Sequence, residues 1–224
     1  MEKSKPFEKW EYEEVELTFG FRRVKKMPKL DEWLNADEPI SDIETAAILR
    51  LQERLIEKVD SWNEDELKFF FISQLVDLVN FNDFKRYSSF SQRTVAVDKK
   101  NLKGEVIKLR GRIEFLVAVG RQKPRQPFFF LHEYKPQHHS SNDPKGQLLI
   151  SMVASQQMDF NFSPLYGCYV LDKSWHFVLL DGSDYAVSAA LDATKADIFQ
   201  ILKILKYCKK AIVAYLDVTM PLTD

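Results

Sequence analysis

Cysteine is scarce in this chain, glycine is uncommon, and no long apolar run is present. Cys168 and Cys208 are the two cysteines among 224 residues, far apart and without metal-ligand spacing. Such isolated thiols suit a reducing compartment and are expected as small core residues rather than reactive groups. The four histidines add no Cys/His zinc pattern. The seven glycines form no phosphate-cradling loop and no nucleophile elbow, so a small-molecule enzyme of those kinds has little support. No stretch approaches the roughly 20 apolar residues of a membrane span. The opening Met-Glu-Lys-Ser-Lys-Pro lacks the apolar core of a secretory signal. The expected location is therefore cytoplasmic, with no membrane partner. A charge excess is missing too: a net charge of −1 makes no global case for nucleic-acid binding.

What is present is core material. Hydrophobic residues make up 45% of the chain, aromatics 13%, and 17 residues are Phe. One good-sized domain at residues 61–224, with an N-terminal extension at 1–60 packing on it, fits the length better than two full domains. Charge is also unevenly spread. Residues 31–66 carry 12 acids and 3 bases, whereas residues 98–125 carry 9 bases and 3 acids. The basic stretch could attract phosphate locally, although on charge alone a solvated lysine-rich hairpin is the simpler reading.

Residues 1–40 have scattered aromatics and no clear period, which predicts an irregular or partly stranded arm. Ser41-Asp-Ile-Glu44 is a capping box followed by Ile48, Leu51, Leu55 and Val59 at helical spacing. Asn63-Glu-Asp-Glu66 opens a second helix through Phe70, Ile72, Leu75, Val76 and Val79. A strand or two is expected between Tyr87 and Lys108, at Thr94–Val97 and Glu105–Leu109. A hairpin over 111–135 follows, turning through Gly120-Arg-Gln-Lys-Pro-Arg-Gln126. Asp143-Pro144 starts a helix with Asp at the cap and Pro in the first turn. Paired strands at 166–171 and 175–180 precede a last helix, for which Thr194-Lys-Ala-Asp197 is the expected cap. Its apolar stripe is Ile198, Ile201, Leu202, Leu205, Cys208 and Ile212.

The chemistry centres on two strands. Side chains alternate along a strand, so Phe129, Leu131, Glu133 and Lys135 share one face. Two apolar residues followed by opposite charges on that face must give up hydration, which stabilises poorly unless other groups satisfy them. Glu114 lies in a second buried-strand pattern, Gly111-Arg-Ile-Glu-Phe-Leu-Val-Ala-Val-Gly120. If the two strands pair as a hairpin, Glu114 near the start of one faces Glu133 near the end of the other. Two carboxylates and a lysine so placed can hold a divalent cation and a water. The simpler reading is a salt bridge with Lys135, Arg110 or Arg112.

The order helix, three strands, helix, strands, helix, with an acid on the second core strand and Glu-x-Lys on the third, resembles the PD-(D/E)xK nuclease superfamily. The likeness runs from about Asn63 to Val213. Gly111-Arg-Ile-Glu-Phe-Leu is similar to the first metal motif of that family, with Glu114 in the usual Asp position. Phe129-Phe-Leu-His-Glu-Tyr-Lys135 is similar to the second motif. Asp143-Pro-Lys-Gly-Gln147 resembles the following helix, in which a Gln often faces the metal. Tyr166-Gly-Cys-Tyr-Val, Trp175-His-Phe-Val and Asp181-Gly resemble the later strands of predicted bacterial members. The family's Pro-Asp is absent, and Glu replaces the first Asp.

The resemblance implies an α/β, restriction-endonuclease-like core, a central mixed sheet flanked by helices, behind a helical or irregular N-terminal extension. It implies a nuclease hydrolysing phosphodiester bonds of nucleic acid, with DNA the expected form. Glu114 and Glu133 would bind Mg2+ or Mn2+, while Lys135 and Gln147 would complete the catalytic set. Arg121, Lys123 and Arg125 are candidates for nucleic-acid contact, with a solvated turn as the alternative. Glu66 could add an acid, but its capping box explains it. His132 and Tyr134 fall on the opposite strand face as packing residues, and the His138-His139 loop is a weak phosphate contact at best. The competing class is a nuclease fold that has lost cleavage and serves as a nucleic-acid- or protein-binding module.

Overall fold

Strand and helix signals spread along the whole chain come together in one mixed sheet with helices on both faces. A computed structural model describes residues 3–134, 143–157 and 163–222, with side chains described for 5–132, 143–157 and 163–222. The elements are β1 (Lys3–Pro6), α1 (Tyr12–Phe19), β2 (Arg22–Arg23), α2 (Pro28–Leu34), α3 (Asp42–Lys58), α4 (Glu64–Leu67) and α5 (Ser73–Val79). They continue with β3 (Tyr87–Lys100), β4 (Val106–Val119), β5 (Gln126–Tyr134), α6 (Pro144–Ser155), β6 (Leu165–Leu171), β7 (Ser174–Asp181), β8 (Asp184–Val187), β9 (Leu191–Asp192) and α7 (Asp197–Thr219).

The main path of the sheet runs β3, β4, β5, β6, β7, β8, β2, with β1 also on β4 and β9 on β7. Strands β3, β4 and β5 form an antiparallel meander. Strand β6 lies parallel to β5, so α6 provides the crossover that a parallel pair requires. Strands β7 and β8 return antiparallel. The triple Phe128–Phe130 is fully buried, as a central strand covered on both faces demands.

Two layers of helices provide that cover. A Cβ at Gly167 would lie 2.8 Å from Met152 Sδ of α6, so α6 covers the face to which Gly167 turns. The neighbouring Tyr166 packs edge-on against Trp33 of α2, with ring centroids 4.7 Å apart, on the other face. Helices α2 and α5 both contact α7, and α3 contacts α5 and α7, which assembles the second layer. Helix α1 packs on α6 in the first layer.

Local signals explain most of the helices. Ser41 and Glu44 form the reciprocal capping box of α3, and Ile48, Leu51 and Leu55 are buried along its inner face. Asn63 and Glu66 do the same for α4. Asp143 caps α6 by accepting from Lys145 N, with Pro144 following it. The expected stripe of α7, from Ile198 to Ile212, is buried throughout.

Other expectations needed revision. The arm at 1–40 contains α1 and α2 besides two short strands, and β1 and β2 join the sheet beside β4 and β8. Close backbone approach docks the chain around Trp10: a Cβ at Gly146 would stand 2.4 Å from Trp10 O. The strands expected at 105–109 and 111–120 are one strand, β4, because Gly111 lets Phe7 lie flat on it where a Cβ would meet the ring at 2.1 Å. Thr194 does not cap α7; its hydroxyl donates to Asp192 Oδ1, and the N-cap residue is Ala196, without a side-chain bond. The second helix is α4 and α5 joined by a π-helical turn, Lys68–Ile72.

Candidate functional site

Strand β4 changes neighbours along one edge. Its pairing with β5 runs from Val119↔Gln126 to Phe115↔Leu131, whereas Ile107 to Arg110 pair with β1. Glu114 lies one residue beyond the last β4–β5 pair, where the two strands part. Strand β5 continues past that point alongside β6, with Glu133 opposite Val170. On the other edge β3 follows β4 throughout, with Gln92 at φ 56° level with Glu114.

The π-helical turn brings Lys68 to this point. Lys68 Nζ stands 3.4 Å from Glu114 Oε2, and the two side chains are 26% and 17% exposed. A π turn carries an extra residue per turn and so re-aims the side chains within it; such turns often occur at functional sites. A cavity of about 460 Å³ opens beside the pair. Ile72, Val76, Phe81, Phe115 and Leu131 supply its apolar wall, while Asp77, Asn80, Asn82, Ser89 and Ser91 supply polar atoms.

The loop between α5 and β3 is held by a charged knot. Asp83 Oδ1 accepts from the backbone N–H groups of Lys85, Arg86 and Tyr87 at 3.1, 2.7 and 3.1 Å. Arg86, 8% exposed, donates to Asp83 at 2.8 Å and to Asp217 of α7 at 2.7 Å. Burial alone would raise the Asp83 carboxyl; the bonds from the Arg86 side chain and the three backbone N–H groups outweigh it and hold the pKa below the usual carboxylate range.

The residues singled out from the sequence do not all gather here. Glu114 lines the cavity. Glu133 has its place in β5 two residues beyond Leu131, and the side chains of Glu133 and Tyr134, with all of Lys135, His138 and His139, lie outside the described residues. Gln147 is half-buried in the first turn of α6, is not among the residues lining the cavity, and belongs to the layer on the opposite face of the sheet. Arg121, Lys123 and Arg125 are exposed in the β4–β5 turn. That turn lies at the far end of the hairpin, roughly 20 Å along the strand from Glu114. Glu66 accepts from Asn63 N at 2.8 Å, the bond its capping role requires. His132 is fully buried, and burial, together with the charge of Lys68, pushes its pKa down to about 3, so the imidazole is neutral. Both cysteines are buried, which raises their thiol pKa values well above the ordinary one.

Sequence reasoning missed Lys68 and the cavity. The signal for Lys68 was faint: a lysine in Leu67-Lys-Phe-Phe-Phe-Ile72, inside an otherwise regular helical pattern. Its approach to Glu114 depends on the π turn, which no residue type announces.

Among the described residues no three His, Cys, Asp or Glu side chains group to hold a metal ion. Nor is any described helix long and apolar enough to cross a membrane. A scan against protein-family models finds no match, and a search of curated proteins finds none either.

Proposed function

We propose that this chain is a Mg2+-dependent phosphodiesterase of the PD-(D/E)xK kind that hydrolyses nucleic acid, with a restriction-endonuclease-like core. One observation carries the reading: Glu114 lies where β4 parts from β5, in a sheet ordered as helix, antiparallel meander, crossover helix and parallel strand. Where two neighbouring strands part, as β4 and β5 do here, the gap between them leaves room for a ligand. The acid expected from the sequence lies at that divergence.

In this reading Glu114 and Glu133 hold the cation, and hard carboxylate oxygens are the donors that Mg2+ prefers. Glu114 is the described member of that set. The ion would supply positive charge at the scissile phosphate and a more acidic bound water. Lys135 orients that water and stabilises developing charge. Gln147, on the opposite face of the sheet, is left out of this set. DNA is the expected substrate form, and the reducing cytoplasm the expected location.

A second reading has its own observation. Lys68 Nζ lies 3.4 Å from Glu114 Oε2, so an ammonium group already offers that carboxylate positive charge. A nuclease fold that had exchanged its metal for an internal ion pair would serve as a nucleic-acid- or protein-binding module. Calorimetric titration with Mg2+ and Mn2+ separates the two. The nuclease binds metal, cleaves plasmid or oligonucleotide only in its presence, and loses both properties in Glu133→Ala. A chain that binds no metal, and whose Glu133→Ala variant is merely less stable, overturns the proposed activity in favour of the module.

A further inference from the structure

We infer that the cavity beside Glu114 is a nucleobase pocket, fed by the exposed cations of β4, and that the substrate is therefore single-stranded nucleic acid. The inference rests on the nucleic-acid part of the function proposed above and specifies its substrate class. From Ile107 to Glu114 strand β4 alternates strictly: Ile107, Leu109 and Ile113 are buried, while Lys108, Arg110 and Arg112 are exposed. The period of a strand is two, so the three cations share the face of Glu114. Alternate residues repeat at roughly 6.6–6.8 Å, comparable to the spacing of successive phosphates along an extended strand. A smaller depression of about 270 Å³ lies along this row, lined by Pro6, Thr94, Arg110, Gly111 and Arg112. In β3 the residues paired with Arg112, Arg110 and Lys108 are Thr94, Ala96 and Asp98, so the acid among these cross-strand partners falls at the end of the row away from Glu114. Neither Arg110 nor Arg112 is ion-paired among the described residues.

The row leads to the large cavity, whose chemistry suits a base. Its 460 Å³ falls within the roughly 300–1,000 Å³ of small-ligand sites. Phe115 and Phe84 offer aromatic faces, and Asp77, Asn80, Ser89 and Ser91 offer donors and acceptors for a base edge. Phe84 is the telling residue. It is 69% exposed and has φ 59°, a region that a bulky side chain rarely adopts. Asn82 Oδ1 accepts from Phe84 N at 2.8 Å, and the Asp83–Arg86 knot follows at once, so the loop holds this ring out at the cavity mouth. Strain kept in place to expose a large apolar ring is how a stacking platform is built, not how a core is packed. Bases in a duplex are stacked and paired, and only an unpaired or extruded base can enter such a pocket.

The test is fluorescence anisotropy on the full chain in EDTA, so that binding is read without cleavage. The probes are a short labelled single-stranded DNA, its abasic analogue, the RNA of the same sequence, and a duplex of equal length. The expected order is single strand tighter than duplex by at least about tenfold, with abasic DNA weakened toward the duplex. Phe84→Ala should weaken single-strand binding by roughly tenfold and leave duplex binding unchanged. Arg110→Ala/Arg112→Ala should weaken every probe and reduce the salt slope by about two. All three substituted side chains are exposed, and circular dichroism checks that the variants fold. Equal affinity for duplex and single strand with no effect of Phe84→Ala overturns the inference, even if Mg2+-dependent cleavage persists. Single-strand preference that depends on Phe84, in a chain that never cleaves, upholds the pocket and overturns the nuclease. Comparison of the DNA and RNA arms then identifies the sugar.

Discussion

Two charged clusters, one lining the cavity and one holding the loop that reaches it, are built on different plans. Asp83, Arg86 and Asp217 form a knot in which Asp83 Oδ1 accepts three backbone N–H groups and Arg86, almost fully buried, bridges two acids at 2.7–2.8 Å. Lys68 and Glu114 stand 3.4 Å apart at the parting of two strands, each partly open to solvent. The first arrangement places a guanidinium fork where its geometry is used up by partners. The second joins a flexible lysine to a carboxylate on a cavity wall. Charge in the knot fixes the shape of a loop, whereas charge at the parting stays partly open to solvent.

Substitutions can break or sharpen that contrast. The largest effect is expected at the parting: Glu114→Gln and Glu133→Gln should each lower Mg2+-dependent cleavage by roughly 10²–10³-fold, measured as initial rates. Their melting temperatures should move by only a few degrees. Loss of fold in Glu114→Gln, with no activity in the parent chain, would make the two clusters alike. Next comes Arg86→Ala, which removes a buried guanidinium and leaves the partly buried Asp83 without its side-chain partner, and should cost about 1–3 kcal/mol in urea unfolding. Its effect on cleavage per folded molecule should be minor.

A pH series sharpens the same point. The folded pKa of Asp83 is lowered, so its contribution to stability is complete above the unfolded value of about 3.9 and is lost as pH falls through the folded value. Asp83→Asn should therefore destabilise at neutral pH and flatten the acid limb below about pH 4, followed by equilibrium unfolding. An unchanged acid limb would deny the knot its structural role. The smallest effect is expected for Lys68→Met, within about 1 kcal/mol of stability because the pair is partly solvated. Removing that cation should strengthen Mg2+ binding several-fold by calorimetry. A cost well above this, recovered by adding Glu114→Gln, would show instead a structural ion pair.

The sequence made parts of the fold around the candidate site legible, though unevenly. Glu114 stands out as an acid in a strand of β-branched and aromatic residues, and it lies where β4 parts from β5. Glu66 was readable as a cap because the capping box is a local device, complete within four residues. Arg121, Lys123 and Arg125 drew attention through charge density alone, and that density sits at the far tip of the hairpin. The more promising cations, Arg110 and Arg112, were treated only as neutralising partners. Their shared face with Glu114 emerged once β4 proved continuous through Gly111, which had looked like a break.

By itself the sequence determined the local features: the caps of α3, α4 and α6, the burial stripes of α3 and α7, and the unbroken apolar run that buries β5 on both faces. Each arises from neighbours a few residues apart, whose spacing sets which face they occupy. Tertiary structure alone decided the exchange of β5 for β1 along β4, the π turn that carries Lys68 to Glu114, and the cavity that Phe84 overhangs. Those features depend on contacts between residues distant in the chain, where packing and strand register, rather than local preference, select the arrangement.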